Sequence, residues 1–343
     1  MHYAPPPQDT QCNRRTSVKD VHRINWIDWA KTIGIYLVVT GHAHHDNADV
    51  VPMIFMIHMP LFFVISGYLF KTECSLKELT IRNFSGLIVP YFLYNVISSL
   101  YWLMLGGIKV AQGQAYDWEN CVLKPLINTL LGHSLGTFDG PTWFLLVLVW
   151  CKYFGWLIHR SNVFVKICTL MFWVVMFYLR SQTTDLFISS FDCGLAGFIW
   201  FEAGYVFKRY IKMRELHPLV LAALLVTGMA ICYWVYCQVG MCNYILSKTN
   251  GLIGILGTGA GLIAFFSLCY MLNRVSLKMV TMVSKASIVV MCLHMPVQSL
   301  IEAVTHYQGP ELLTLAVDLM LTMALASLFP WIKKYAPMLL GGR

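Results

Sequence analysis

Four ionisable side chains stand inside apolar runs near the amino terminus. INWIDWAKTIGIYLVVTGH carries Asp28, Lys31 and His42, and VVPMIFMIHMPLFFVISGYLF carries His58. Such groups are costly in hydrocarbon and mark functional sites by default. Lys31 and His42 lie on one helix face, within about 20° of each other and about 16 Å apart along the axis. Asp28 is one turn from Lys31 and is expected to pair with it. One stripe thus carries a cation at one end and an imidazole at the other. An imidazole titrates near working pH, so His42 is suited to taking up and returning a proton. The plain alternative is a snorkelling lysine and an interfacial histidine. His58 sits in mid-run before Met59-Pro60, where Pro60 frees a backbone carbonyl one turn earlier. Its plain alternative is an interhelical hydrogen bond. Ser66-Gly67, further along the run, would permit close helix approach.

These side chains need helices to hold them, and composition says where. The chain has 343 residues, 57% of them hydrophobic and only 12% charged, against roughly 25% charged in a soluble domain. That deficit fits a lipid-facing surface. A span needs about 20 mostly apolar residues, and ten such segments are read at about 26–45, 50–70, 86–106, 142–158, 163–180, 187–207, 217–238, 250–273, 286–304 and 311–332. The connection 107–141 contains an amphipathic stretch near Val122–Leu131, expected to be a re-entrant or interfacial helix rather than another span. The fold class expected is an all-α polytopic bundle. Residues 1–24 would form an amino-terminal tail, 25–334 the membrane domain and 335–343 a carboxy-terminal tail.

Charge placement orients the bundle. With the amino terminus inside, twenty of the 25 Lys and Arg fall in inside segments, four fall outside, and Lys31 lies within the first span. This bias supports an even span count with both termini cytoplasmic. The net charge of +8 is spread between apolar runs, which argues for membrane orientation and against a nucleic-acid partner. No CxxC pair occurs among the eleven cysteines, which read as small apolar fillers. His44, His45 and Asp46 read as solvated loop residues, and no metal is expected.

Two segments carry a family resemblance. IDWAKTIGIYLVVTGH and IHMPLFFVISGYLF resemble the opening motifs of the membrane acyltransferase family three, and most closely its fucose 4-O-acetylase-like branch. Where the larger family has an arginine, this chain has Lys31, as is usual in that branch. IRNFSGLIVPYFLYNVI, GPTWFLLVLVW and SIVVMCLHMPVQSLI are similar to later family segments, placing Arg82, Pro90, Tyr91, Trp143 and His294. The resemblance implies a ten-helix bundle in a bacterial cytoplasmic membrane. It also implies acetyl-CoA as acyl donor and a sugar or polysaccharide hydroxyl as acceptor.

The catalytic set expected is His42, Lys31 and His58. Lys31, Arg82 and Asp28 are expected at the cofactor, and Trp143 and Glu202 at the substrate. His42 would act as general base on the attacking hydroxyl, and a covalent acyl-histidine would also satisfy the sequence. His294 is read as a helix-contact residue rather than a catalytic one. Asp192 is a weaker substrate candidate, and Asp318 and Glu302 read as interfacial. A second copy of the chain is admitted as a partner. The alternative function is a transporter or flippase of a polysaccharide precursor, which would place broken helices in paired halves; no inverted repeat is evident in the chain. No P-loop, GxSxG or zincin motif occurs, so the sequence gives no sign of ATP use or a serine triad.

Overall fold

The computed structural model describes residues 23–43, 50–181, 188–211, 213–244, 248–305 and 311–341. His44, His45, Asp46 and almost all of the amino-terminal tail lie outside the described residues. Among these residues the regular structure is helical, apart from one isolated bridge between Asn243 and Lys248. The longer helices are α1 (Asn25–His42), α2 (Val50–Tyr68), α3 (Leu76–Asn83), α4 (Val89–Ala111), α5 (Lys124–Leu131), α6 (Trp143–Arg160), α7 (Val163–Ser181) and α8 (Phe191–Tyr210). They continue with α9 (Pro218–Val239), α10 (Gly251–Met271), α11 (Lys278–Thr305), α12 (Glu311–Ser327) and α13 (Phe329–Tyr335).

Among the described residues, eight helical runs are long and apolar enough to cross a membrane, judged by length and composition. They are α2, the continuous run α3–α4, α6, α7, α9, α10, α11 and α12–α13. The chain is an all-α polytopic bundle and an integral membrane protein. The two remaining expected spans, at α1 and α8, also form helices of 18 and 20 residues. Asp28 and Lys31 in one, and Asp192, Glu202, Lys208 and Arg209 in the other, make them more polar. Both compensate by packing inside the bundle: α1 touches α2, α10, α11 and α12, and α8 touches α2, α6 and α7.

Close packing of α2 on α8 rests on two glycines. A Cβ on Gly67 would stand 1.8 Å from the Phe201 carbonyl oxygen, and one on Gly204 would stand 2.0 Å from that of Val64. Only glycine permits this backbone approach, the arrangement small residues provide between membrane helices. The close approach expected at Ser66-Gly67 is therefore present.

The long connection holds a short helix where the amphipathic stretch was read. Its helix α5 is about 12 Å long, too short to cross a bilayer. It exposes Leu126, Ile127, Leu130 and Leu131, as an interfacial helix does, and it stops at Gly132 in the left-handed region (φ 69°). Upstream, α3 begins with a reciprocal capping box between Ser75 and Glu78. A π-helical turn at Phe84–Ile88 then joins α3 to α4.

Candidate active site

α1 is fastened to α11 at three levels. At its foot Asp28 accepts hydrogen bonds from Arg23 and from the Ser284 hydroxyl (2.7 Å). Above, Thr32 donates to the Val280 carbonyl (2.9 Å), and higher still the Gln298 amide donates to the Val39 carbonyl (3.0 Å). The Asp28 carboxylate, expected to pair with Lys31, is thus taken by Arg23 and Ser284. Its work is to pin α11 in register with α1.

That register brings three histidines together. The His42 ring lies 5.3 Å from the His294 ring and 6.4 Å from the His58 ring, centroid to centroid. Phe55 closes one side, 5.6 Å from His42 and 5.0 Å from His58. His58 and His294 are 2% and 0% exposed, whereas His42 is only partly buried. Each buried ring uses Nδ1 on the carbonyl one turn earlier: His58 on Ile54 at 2.8 Å and His294 on Val290 at 3.0 Å. A ring that donates from Nδ1 to a carbonyl keeps its other nitrogen, Nε2, as a lone-pair acceptor. In His294 that Nε2 is buried and has no hydrogen-bond partner among the described residues.

His294, read as a helix-contact residue, makes its contact ring to ring with His42 of α1. The sequence did hold a signal. His58-Met59-Pro60 in α2 and His294-Met295-Pro296 in α11 are the same tripeptide. In both, the proline removes the N–H that would continue the helical ladder one turn above.

The other expected site residues divide. Lys31 lies half-buried on the His42 face, with Ile35 and Val38 buried between them. Trp143 is buried and packs on Phe63 of α2 at 6.4 Å, while its neighbour Phe144 reaches Phe62, one turn below His58, at 6.0 Å. Glu202 is drawn to His159 instead (2.7 Å), whose ring stacks on Tyr205 at 3.9 Å. Arg82 is exposed in the last turn of α3, which leans on α6 through Tyr153 and Thr80; it is not brought to the histidines. Asp192 is bound by Arg180 (3.1 Å). Asp318 is 2% exposed and accepts from Gln298 at 3.3 Å, so it belongs to the interior and not to the interface. The Glu302 side chain lies outside what is described.

A second polar group joins Tyr91, placed by the resemblance, to residues that the sequence did not single out. Tyr91, Tyr94, Asn95 and Ser98 form one fully buried stripe on α4, at the three- and four-residue spacing of a single helix face. Asn95 joins three segments: its amide donates to Thr142, and its carbonyl oxygen accepts from Thr129 and from the Asp139 backbone N–H. Asp139, in the connection before α6, is 1% exposed. Burial pushes its carboxyl well above the usual carboxylate range. The spacing of polar residues in YFLYNVIS was the signal for the stripe. Nothing local marked Asp139, because its burial comes from α4 and α11.

Fold and site together define a polytopic membrane bundle built around an internal histidine centre. The profile of acyltransferase family 3, an acyltransferase domain, matches residues 24–332, and the chain belongs to that family. It is therefore a membrane acyltransferase. The match is to the family as a whole and does not select the fucose 4-O-acetylase-like branch. No curated protein and no solved structure matches this chain.

Proposed function

We propose that this acyltransferase moves an acetyl group from acetyl-CoA to a hydroxyl of a cell-surface or lipid-linked sugar. The observation that carries the reading is His42, the most accessible of three converging imidazoles, set at one end of a helix face whose other end holds Lys31. The hydroxyl oxygen attacks the thioester carbonyl while its proton passes to the His42 imidazole. The C–S bond then breaks, and the departing thiolate takes up the proton. An imidazole is neutral enough to accept that proton and acidic enough to return it.

The donor enters from the cytoplasmic side, where the chain concentrates its cations. A groove of about 540 Å³ opens there between the start of α11 and α13, lined by Lys278, Lys285, Lys333 and Lys334 beside Phe329 and Pro330. Thr281 lines the same groove and gives its carbonyl to Arg23, so the groove adjoins the foot of α1. These lysines are better placed than Arg82 to receive the CoA phosphates, with Lys31 above them on the route to His42.

Acetyl-CoA affinity of purified variants tests this assignment. Lys31→Ala is expected to weaken binding ~10–100-fold, the loss of a charge-assisted contact of about 1.5–3 kcal/mol. Lys31→Arg should keep part of it, because the charge persists while the geometry changes. Normal acetyl-CoA binding by Lys31→Ala with turnover lost would move Lys31 from the cofactor to the chemistry.

A further inference from the structure

Asp139 is held by its backbone and left free at its carboxyl. Its N–H donates to Asn95 Oδ1 (3.1 Å), and its carbonyl accepts from the hydroxyls of Thr142 (2.6 Å) and Thr137 (3.1 Å). Thr129 adds a hydrogen bond to the same Asn95 oxygen, and Tyr91 closes the ring of contacts on the Thr129 carbonyl. Yet both carboxyl oxygens of Asp139 are buried with no hydrogen-bond partner among the described residues. The Tyr94 and Ser98 hydroxyls on the same stripe of α4 are likewise buried and unpartnered. Asp139 lies within electrostatic reach of Tyr94 and of Cys292 on α11.

Buried polar groups in native structures are nearly always hydrogen-bonded, and a cluster of exceptions calls for a reason. A chain that fixes the backbone so firmly while leaving the side chain open has preorganised a polar surface for something that arrives later. The location agrees with this. A Cβ on Gly140 would touch Met295 Sδ at 3.4 Å, and Met295 is the neighbour of His294. On the other side Phe144 packs on Phe62, a turn from His58. The unpartnered group therefore borders two of the three helices that build the histidine centre.

We propose that Asp139 and Tyr94 form the subsite that holds a neighbouring hydroxyl of the sugar acceptor, so that the reacting hydroxyl is presented to His42. This rests on the acetyl-transfer reading above. A polyol fits the chemistry: each sugar hydroxyl both donates and accepts, and so satisfies a carboxyl and a phenol together without bringing a charge into the bundle. Asp139 on this account is a substrate-binding residue, and Asn95 is the positioning residue behind it.

The test compares Asp139→Ala and Asp139→Asn with wild type in cells, reading alkali-labile acetate in the envelope against an empty-vector control. Acetyl-CoA affinity and thermal stability are then measured on the purified proteins. Asp139→Ala should lower envelope acetate at least ~10-fold, the equivalent of about 1.4 kcal/mol, with acetyl-CoA affinity unchanged. Its melting temperature should stay level or rise, since removing an unpartnered buried group set aside for function does not weaken a fold. Asp139→Asn, which retains a donor and an acceptor, should keep part of the activity. Wild-type acetate from Asp139→Ala would overturn the subsite. So would a fall in stability together with lost acetyl-CoA binding, because Asp139 would then be structural. Asparagine no better than alanine would show that charge and not hydroxyl recognition is at work. If wild type itself adds no acetate above the control, the acetyl-transfer reading fails before Asp139 is reached.

Discussion

His42→Ala is expected to lose ~10²–10⁴-fold in acetyl transfer, the usual contribution of a positioned general base, while binding acetyl-CoA nearly as well as wild type. The separation follows from distance. Lys31 lies about 16 Å from His42 along α1, and the groove lysines adjoin the Lys31 end of that helix, so the proposed site for the cofactor's charged end does not need the imidazole. Nor does the substitution open a buried ion pair or remove a clamp: Asp28, Thr32 and the Val39 carbonyl carry the contacts to α11, and all three stay in place. His58 and His294 are poor substitutes because each has Nδ1 committed to its own helix and is almost fully buried. Parallel titration of acetyl-CoA binding and initial rates of acetyl transfer checks this. A His42→Ala protein that transfers acetyl at near wild-type rate would remove His42 from the chemistry.

Asp192→Ala is expected to produce the largest loss of stability. Asp192 is 0% exposed in the first turn of α8, where a carboxylate is also favoured by the helix dipole. Its partner Arg180, at the end of α7, is 8% exposed and donates from Nε at 3.1 Å. Removing one partner of a buried pair typically costs about 3–5 kcal/mol, whereas replacing both by apolar residues of similar volume is often neutral. Thermal unfolding in detergent should therefore show a large fall for Asp192→Ala and recovery in the double variant Asp192→Leu/Arg180→Met. A single variant as stable as wild type would mean that groups other than Asp192 compensate the guanidinium.

Helix positions were legible in the sequence because lipid demands long apolar runs, and every expected span coincides with a helix. α1 and α8 are less apolar for a reason that bears on the site: Asp28 and Asp192 are buried among other helices, while Lys208 and Arg209 lie exposed at the end of α8. Two of the three histidines of the centre were legible. His42 and His58 stand out as polar residues in apolar runs close together in the chain. His294 is more than 230 residues downstream, and only the α1–α11 clamps bring it to His42. The Asp28–Lys31 expectation followed from helical spacing, but Arg23 and Ser284, one outside the helix and one on α11, reach the carboxylate. Glu202 was chosen as an ionisable group in a span, and a partner on α6, His159, engages it. Asp139 could not be found from its neighbours in sequence, because its burial and its open carboxyl depend on where α4 and α11 lie.

The proposed reaction carries acetyl from CoA to a sugar hydroxyl through this bundle. Acetyl-CoA labelled in the acetyl group, offered to wild-type protein in lipid nanodiscs with a cell-envelope carbohydrate fraction, tests it directly. Label is expected in that fraction, released as acetate by mild alkali, together with free CoA thiol in equal amount. Correctly inserted wild-type protein that neither consumes acetyl-CoA nor labels the carbohydrate would contradict it.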